Sequence, residues 1–117
     1  AEALRPAAAE GPRLLARRQR ALADKPEWVD AADLDGDGHD ELLVATITRG
    51  ELLVWRGGPS GLAESPRVLA VGAYPLRPCV GARSPGDAGR RVWIASRAER
   101  TLAAWDPLDE RASAPRW

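Results

Sequence analysis

Two apolar runs, Leu42-Leu43-Val44-Ala45 and Leu52-Leu53-Val54-Trp55, stand on either side of Arg49-Gly50 and set the pattern of the chain. Aliphatic and β-branched residues broken by an Arg-Gly pair predict a hairpin, with strands over 41–48 and 51–56. The first of these is apolar without alternation, which a strand covered on both faces requires. Ahead of it, residues 26–36 predict a strand with Trp28 and either Val29 or Ala31 on the buried face. Behind it, Gly57-Gly58-Pro59-Ser60-Gly61 is a strong turn signal. Residues 66–73 (PRVLAVGA) predict a fourth strand, which Tyr74-Pro75 terminates.

The pattern returns fifty positions later, where Ala95-Ser96 echoes Ala45-Thr46 and Trp105 echoes Trp55. Strands are expected over 92–96 and 101–105, with a turn near Glu99-Arg100. A third Pro-Arg start, Pro115-Arg116-Trp117, follows at nearly the same interval. Upstream, Pro12-Arg13-Leu14-Leu15-Ala16 echoes Pro66-Arg67-Val68-Leu69-Ala70 and predicts a strand. A short helix ending before Pro26 is the competing reading, since Leu, Ala, Arg and Gln all favour helix. Four strands repeated at about fifty residues are the signature of propeller blades. The expected fold is therefore all-β, with about two four-stranded antiparallel blades of a β-propeller, part of a larger ring or a subunit of one. Residues 1–11 are a tail or linker, 12–25 the outer strand of a preceding blade, 26–74 one blade, and 75–117 a second, degenerate one.

At 117 residues the chain is long enough for one compact domain with a core. Lys plus Arg number 17 and Asp plus Glu 17, so no net field favours nucleic acid or an anionic membrane. The basic run Arg17-Arg18-Gln19-Arg20 reads as a charged, solvated sheet edge, which discourages unwanted strand pairing. One cysteine, Cys79, excludes an internal disulfide. No apolar run reaches the ~18 residues of a membrane-spanning helix. The chain has no methionine, so it is expected to begin after processing or to be a piece of something longer.

The chemistry lies in Asp33-Leu34-Asp35-Gly36-Asp37-Gly38-His39-Asp40-Glu41. Carboxylates at 33, 35, 37 and 41 repel one another unless a cation is shared between them. Ca²⁺ takes roughly six to eight oxygen ligands in a flexible shell, and acidic side chains at alternate positions of a tight loop can wrap one. The spacing gives Asp33, Asp35 and Asp37 as side-chain ligands, the carbonyl of His39 as the next, and Glu41 as the closing carboxylate. Gly36 and Gly38 permit the positive φ angles that turn the loop. The plainer alternative is an acidic turn with no ion. An EF-hand is excluded, because its twelfth position needs a bidentate Glu and here holds Val44.

With its hairpin and Gly-Pro-Ser-Gly turn in the same order, the stretch PEWVDAADLDGDGHDELLVATITRGELLVWRGGPSGL over residues 26–62 resembles the FG-GAP or VCBS repeat of integrin-like β-propellers. In that repeat a DxDGDGxxD/E loop joins the first two strands of a blade. The chain departs from it in closing with Glu41, where Asp is commoner. Placed fifty positions on, the four acidic sites become Arg83, Pro85, Asp87 and Arg91, so the second unit keeps one carboxylate and an Arg is expected to do the cation's work. The resemblance implies a secreted, extracellular or periplasmic location and a calcium-stabilised scaffold for protein partners or further blades.

An enzyme is not expected. His39 is the only histidine and lies in the acidic loop, so no Ser-His-Asp or Cys-His set can be assembled without it. Gly57-Gly58 follows a strand and precedes Pro59, which is not a phosphate-binding loop. The second functional reading is carbohydrate or other ligand recognition through exposed tryptophans. Against it, most of the five Trp residues fall at strand positions where packing is their ordinary role.

Overall fold

A computed structural model describes residues 19–81 and 90–108, and among these there are nine strands and no helix. β1 (Pro26–Ala32), β2 (Glu41–Thr46), β3 (Glu51–Trp55) and β6 (Arg67–Ala70) form one four-stranded antiparallel sheet in that order. β4 (Gly57–Gly58) and β5 (Gly61–Leu62) make a small hairpin between β3 and β6, with Pro59-Ser60 at its tip. β7 (Cys79–Val80), β8 (Val92–Ser96) and β9 (Thr101–Trp105) form a second antiparallel sheet of three strands.

The central pair follows from the sequence. β2 and β3 lie between neighbours and under cover on both faces, so neither can alternate apolar with polar residues. Their pairing sets Leu42 opposite Trp55 and Val44 opposite Leu53. At the turn end of the hairpin, the buried Thr46 hydroxyl donates to the Glu51 carbonyl at 3.3 Å and accepts the Glu51 N–H at 3.1 Å. That exchange satisfies a polar side chain that burial would otherwise penalise.

Alternation splits the first sheet into two apolar faces. On one, Leu43, Ala45, Leu52, Val54 and Leu69 join Val92, Ile94 and Trp105 of the second sheet in a single core. On the other, Val44, Leu53 and Trp55 form a separate cluster covered by Leu22. Residues 19–25 make a strap across that face rather than a strand. The Lys25 carbonyl accepts the Ile47 N–H at 2.9 Å, and Arg20 Nη1 donates to the carbonyls of Ala63 and Glu64.

Four of the five pairs in the β8–β9 hairpin stand fifty positions after pairs of β2–β3: Val92 pairs with Trp105 as Leu42 does with Trp55, and Ile94 with Ala103 as Val44 does with Leu53. The two units are also tied by hydrogen bonds between their connecting segments and strands. Arg90 N donates to Leu34 O at 3.0 Å, and Ser96 Oγ donates to Ala73 O at 2.6 Å.

Several sequence expectations are revised. β1 lies at the sheet edge, leaving Trp28 36% and Val29 63% exposed, so neither is a core residue. β6 ends at Ala70 instead of 73, because Val71 N and Gly72 N turn back onto the Gly50 carbonyl at 2.8 and 3.1 Å. The second sheet has three strands among the described residues, and its expected fourth, from Pro115, lies outside them. The tail 1–11 and residues 12–18 of the outer strand expected over 12–25 also lie outside the described residues, and the rest of that stretch, 19–25, is not a strand.

Candidate metal centre

The acidic loop connects β1 to β2, and its anchor is apolar. Leu34 is fully buried and belongs to the core between the two sheets, while Asp33 and Asp35 on either side of it are half-buried and Asp37 is exposed. Alternation about a buried residue therefore turns the carboxylates the other way. Asp33, Asp35 and Asp37 each present an oxygen within 4.8 Å of the other two.

The loop is held in this form by its own amides. Asp33 Oδ1 accepts the N–H of Gly36 at 2.8 Å and of Asp37 at 3.2 Å, and Oδ2 accepts that of Gly38 at 2.9 Å. Asp35 Oδ1 accepts the Asp37 N–H at 3.2 Å, and Asp37 Oδ1 accepts the His39 N–H at 2.8 Å. Gly36 and Gly38 have φ of 80° and 91°, which side chains with a Cβ seldom adopt. The Gly38 N–H, with those of Gly36 and Asp37, holds the Asp33 carboxyl below its usual range, while partial desolvation opposes the shift. Asp33 is thus ionised at neutral pH, as a ligand for a hard cation must be. Three convergent carboxylates offer the oxygen donor set that such a cation takes.

Glu41 is placed elsewhere. Its side chain is fully buried, Oε1 accepts the Leu34 N–H at 2.8 Å, and Oε2 accepts the Gly57 N–H at 3.1 Å. It thus stands apart from the group formed by Asp33, Asp35 and Asp37, and joins the loop backbone to the start of β4. Gly57 is needed at that contact for space, since a Cβ there would run into the Asp40 carbonyl oxygen. His39 enters through its main-chain N–H on Asp37. The structure brings Asp33, Asp35 and Asp37 together and sets Glu41, expected as the closing carboxylate, on two backbone amides. The one available signal was the extra methylene of Glu41, which gives its carboxylate a longer reach than those of Asp33, Asp35 and Asp37.

Arg83, Pro85 and Asp87, the counterparts of the acidic loop in the second unit, lie outside the described residues, and Arg91 is exposed. Trp55 and Trp105 are 5% and 3% exposed, each within an apolar cluster, so neither offers a stacking face to a sugar. Among the described residues no helix is long and apolar enough to cross a membrane. No protein family, curated protein or solved structure matches the chain.

Proposed function

We propose that this chain is a non-catalytic, calcium-stapled β-propeller module of the FG-GAP/VCBS type, acting as a protein-interaction scaffold or as a subunit of a larger assembly. The observation that carries this reading is the convergence of Asp33, Asp35 and Asp37 on the turn between two strands of a four-stranded antiparallel sheet. Calcium would be held by those three carboxylates, with the His39 carbonyl as a further donor. Its role is to neutralise them and fix the turn, keeping β1 and β2 in register. Calcium suits the site better than magnesium, which demands a near-ideal octahedron and gives up its waters reluctantly. Extracellular modules of this kind bind calcium with Kd on the order of 10⁻⁴–10⁻³ M, matched to a secreted or periplasmic location and to a structural task. A carbohydrate-binding role loses its main support with Trp55 and Trp105 buried.

Thermal melts in calcium and in chelator test the reading. The expected result is a higher Tm in calcium, with the shift abolished by Asp35→Ala. Equal melting temperatures in millimolar calcium and in chelator would overturn it.

A further inference from the structure

Two turns at matching places in the repeat are built differently. Gly50, between β2 and β3, has φ of 65°, and Arg100, fifty positions on and between β8 and β9, has φ of 55°. Both turns therefore hold a left-handed residue. Glycine adopts that conformation freely, and at 50 it is also needed for space, since a Cβ there would meet Gly72 and Ala73. Arginine adopts it at a steric cost. Among the described residues one other non-glycine position shares it, Tyr74 with φ of 52°.

The strained residues belong to one patch. Arg97, which opens the turn that Arg100 closes, donates its N–H to the Tyr74 carbonyl at 3.0 Å, and the Tyr74 N–H donates to the Ile47 carbonyl at 2.8 Å. The Leu76 N–H donates to the Ala95 carbonyl at 2.8 Å. This segment is thus pinned to both units, yet Tyr74 is 53% and Leu76 44% exposed, so packing does not account for either side chain. Arg77, Arg97 and Arg100 are exposed as well, and among the described residues no ion pair or hydrogen bond engages their guanidinium groups. Glu99, the acid of the same turn, lies against Gly72, its carboxyl carbon 3.2 Å from where a Cβ on that glycine would stand. Strained backbone persists where its surroundings over-determine it, and it gathers at ligand clamps and other functional sites.

We infer that this patch docks an acidic, leucine-bearing segment of a partner protein, with Tyr74 and Leu76 taking its apolar side chains and Arg77, Arg97 and Arg100 its carboxylates. A guanidinium fork matches a carboxylate in two parallel hydrogen bonds, and three such forks stand here against one acid. Tyr and Arg are also the side chains that most often anchor protein interfaces, and exposed Tyr and Leu call for apolar partner atoms that a plain anion lacks. A pinned backbone lowers the ordering cost of binding. The inference rests on the reading of this chain as a protein-interaction module and names the chemistry of its partner, but it uses no metal.

Fluorescence anisotropy of the whole chain with a short fluorescein-labelled peptide of interspersed glutamates and leucines tests it. The expected Kd is on the order of 100 µM, and it should rise several-fold from about 50 to about 500 mM salt. Arg97→Gln and Arg100→Gly should each weaken binding about tenfold, and Arg100→Gly should do so with a melting temperature at or above that of the wild type, because glycine relieves the strain. Tyr74→Gly is expected to behave in the same way; if it melts lower, the two arginine variants decide alone. Arg56→Gln, just beyond the far end of β3, removes an exposed charge of the same sign and should leave binding unchanged. Absence of binding by the wild type, arginine variants that bind as tightly as the wild type, equal binding of a peptide with lysines for glutamates, or a loss with Arg56→Gln equal to that with Arg97→Gln would each overturn the inference. So would a heparin-derived oligosaccharide that binds more tightly than the peptide, since the patch would then recognise a sulfated glycan. The calcium-dependent melt is read on the same samples: a melt shift without peptide binding leaves the metal reading intact, and peptide binding without a melt shift leaves the docking intact.

Discussion

Glu41 and Gly57 are joined across the sheet by a hydrogen bond of 3.1 Å, from the main-chain N–H of Gly57 to Oε2 of a carboxylate fully shielded from solvent. The other oxygen holds the Leu34 N–H at 2.8 Å, so one side chain fastens the acidic loop to the end of the central hairpin. The cluster of Asp33, Asp35 and Asp37 is therefore supported by contacts that none of its three carboxylates makes.

Replacing Glu41 by Gln separates support from ligation. The amide keeps one acceptor and sets an NH₂ group against a backbone N–H, which costs about 1–3 kcal/mol at a buried site. Urea melts in chelator should show that loss, and the gain in stability on adding calcium should stay that of the wild type. If the gain disappears instead, Glu41 coordinates the ion directly.

What the sequence made legible follows a physical division. β2 and β3 were readable because double-sided burial leaves a continuous apolar run, and the Asp triplet because alternate spacing is a local property of a turn. The exposure of Val29 was not readable, since the order of strands in a sheet is decided by tertiary pairing and the run Trp28-Val29 reads the same at an edge as at the centre. Nor was the placing of Glu41, where the Leu34 and Gly57 amides, seven and sixteen residues away, compete for the carboxylate. β7 has two residues after Pro75 and Pro78, whose rings remove the donors a longer ladder would need.

Asp24 gives the strap a pH dependence. Its Oδ2 accepts the N–H groups of Thr48 at 2.8 Å and Arg49 at 2.6 Å, and these bonds, that of Arg49 foremost, hold its carboxyl below the usual range against some desolvation. A lowered folded-state pKa means that the stabilisation is complete above the unfolded value of about 3.9 and is lost as pH falls through the folded value. Melts taken downward from pH 5 should decline, and Asp24→Asn should flatten part of that decline. An unchanged acid limb in the variant would show that Asp24 contributes nothing to it.

Gly57→Ala probes the same junction sterically. The added methyl meets the Asp40 carbonyl oxygen, a backbone atom that cannot step aside without moving the loop. A loss of about 1–3 kcal/mol is expected, as for other overpacked sites, and should appear as a lower urea midpoint with an unchanged m-value. Gly58→Ala is the control, because the nearest atom to its added Cβ is the Gly61 carbonyl oxygen at 3.9 Å, an ordinary contact.

Leu34→Ala tests whether the core organises the cation site. Leu34 makes no ligand, yet it is fully buried among the residues joining the two sheets and stands between Asp33 and Asp35. Its carbonyl accepts the Arg90 N–H at 3.0 Å and its N–H is held by Glu41, so side chain and backbone fix the loop together. Truncation should cost about 2–5 kcal/mol, the range for buried Leu→Ala. Because the two carboxylates then flank a residue that no longer fills its place, calcium affinity measured by titration calorimetry should fall as well, although every donor oxygen remains. Asp40→Ala, exposed at the end of the same loop, should leave that affinity within about twofold of wild type, since a surface change away from any buried contact is worth within about 0.5 kcal/mol. A Leu34→Ala protein that folds and binds calcium as tightly as the wild type would mean that the loop's own amides suffice to hold the three carboxylates together.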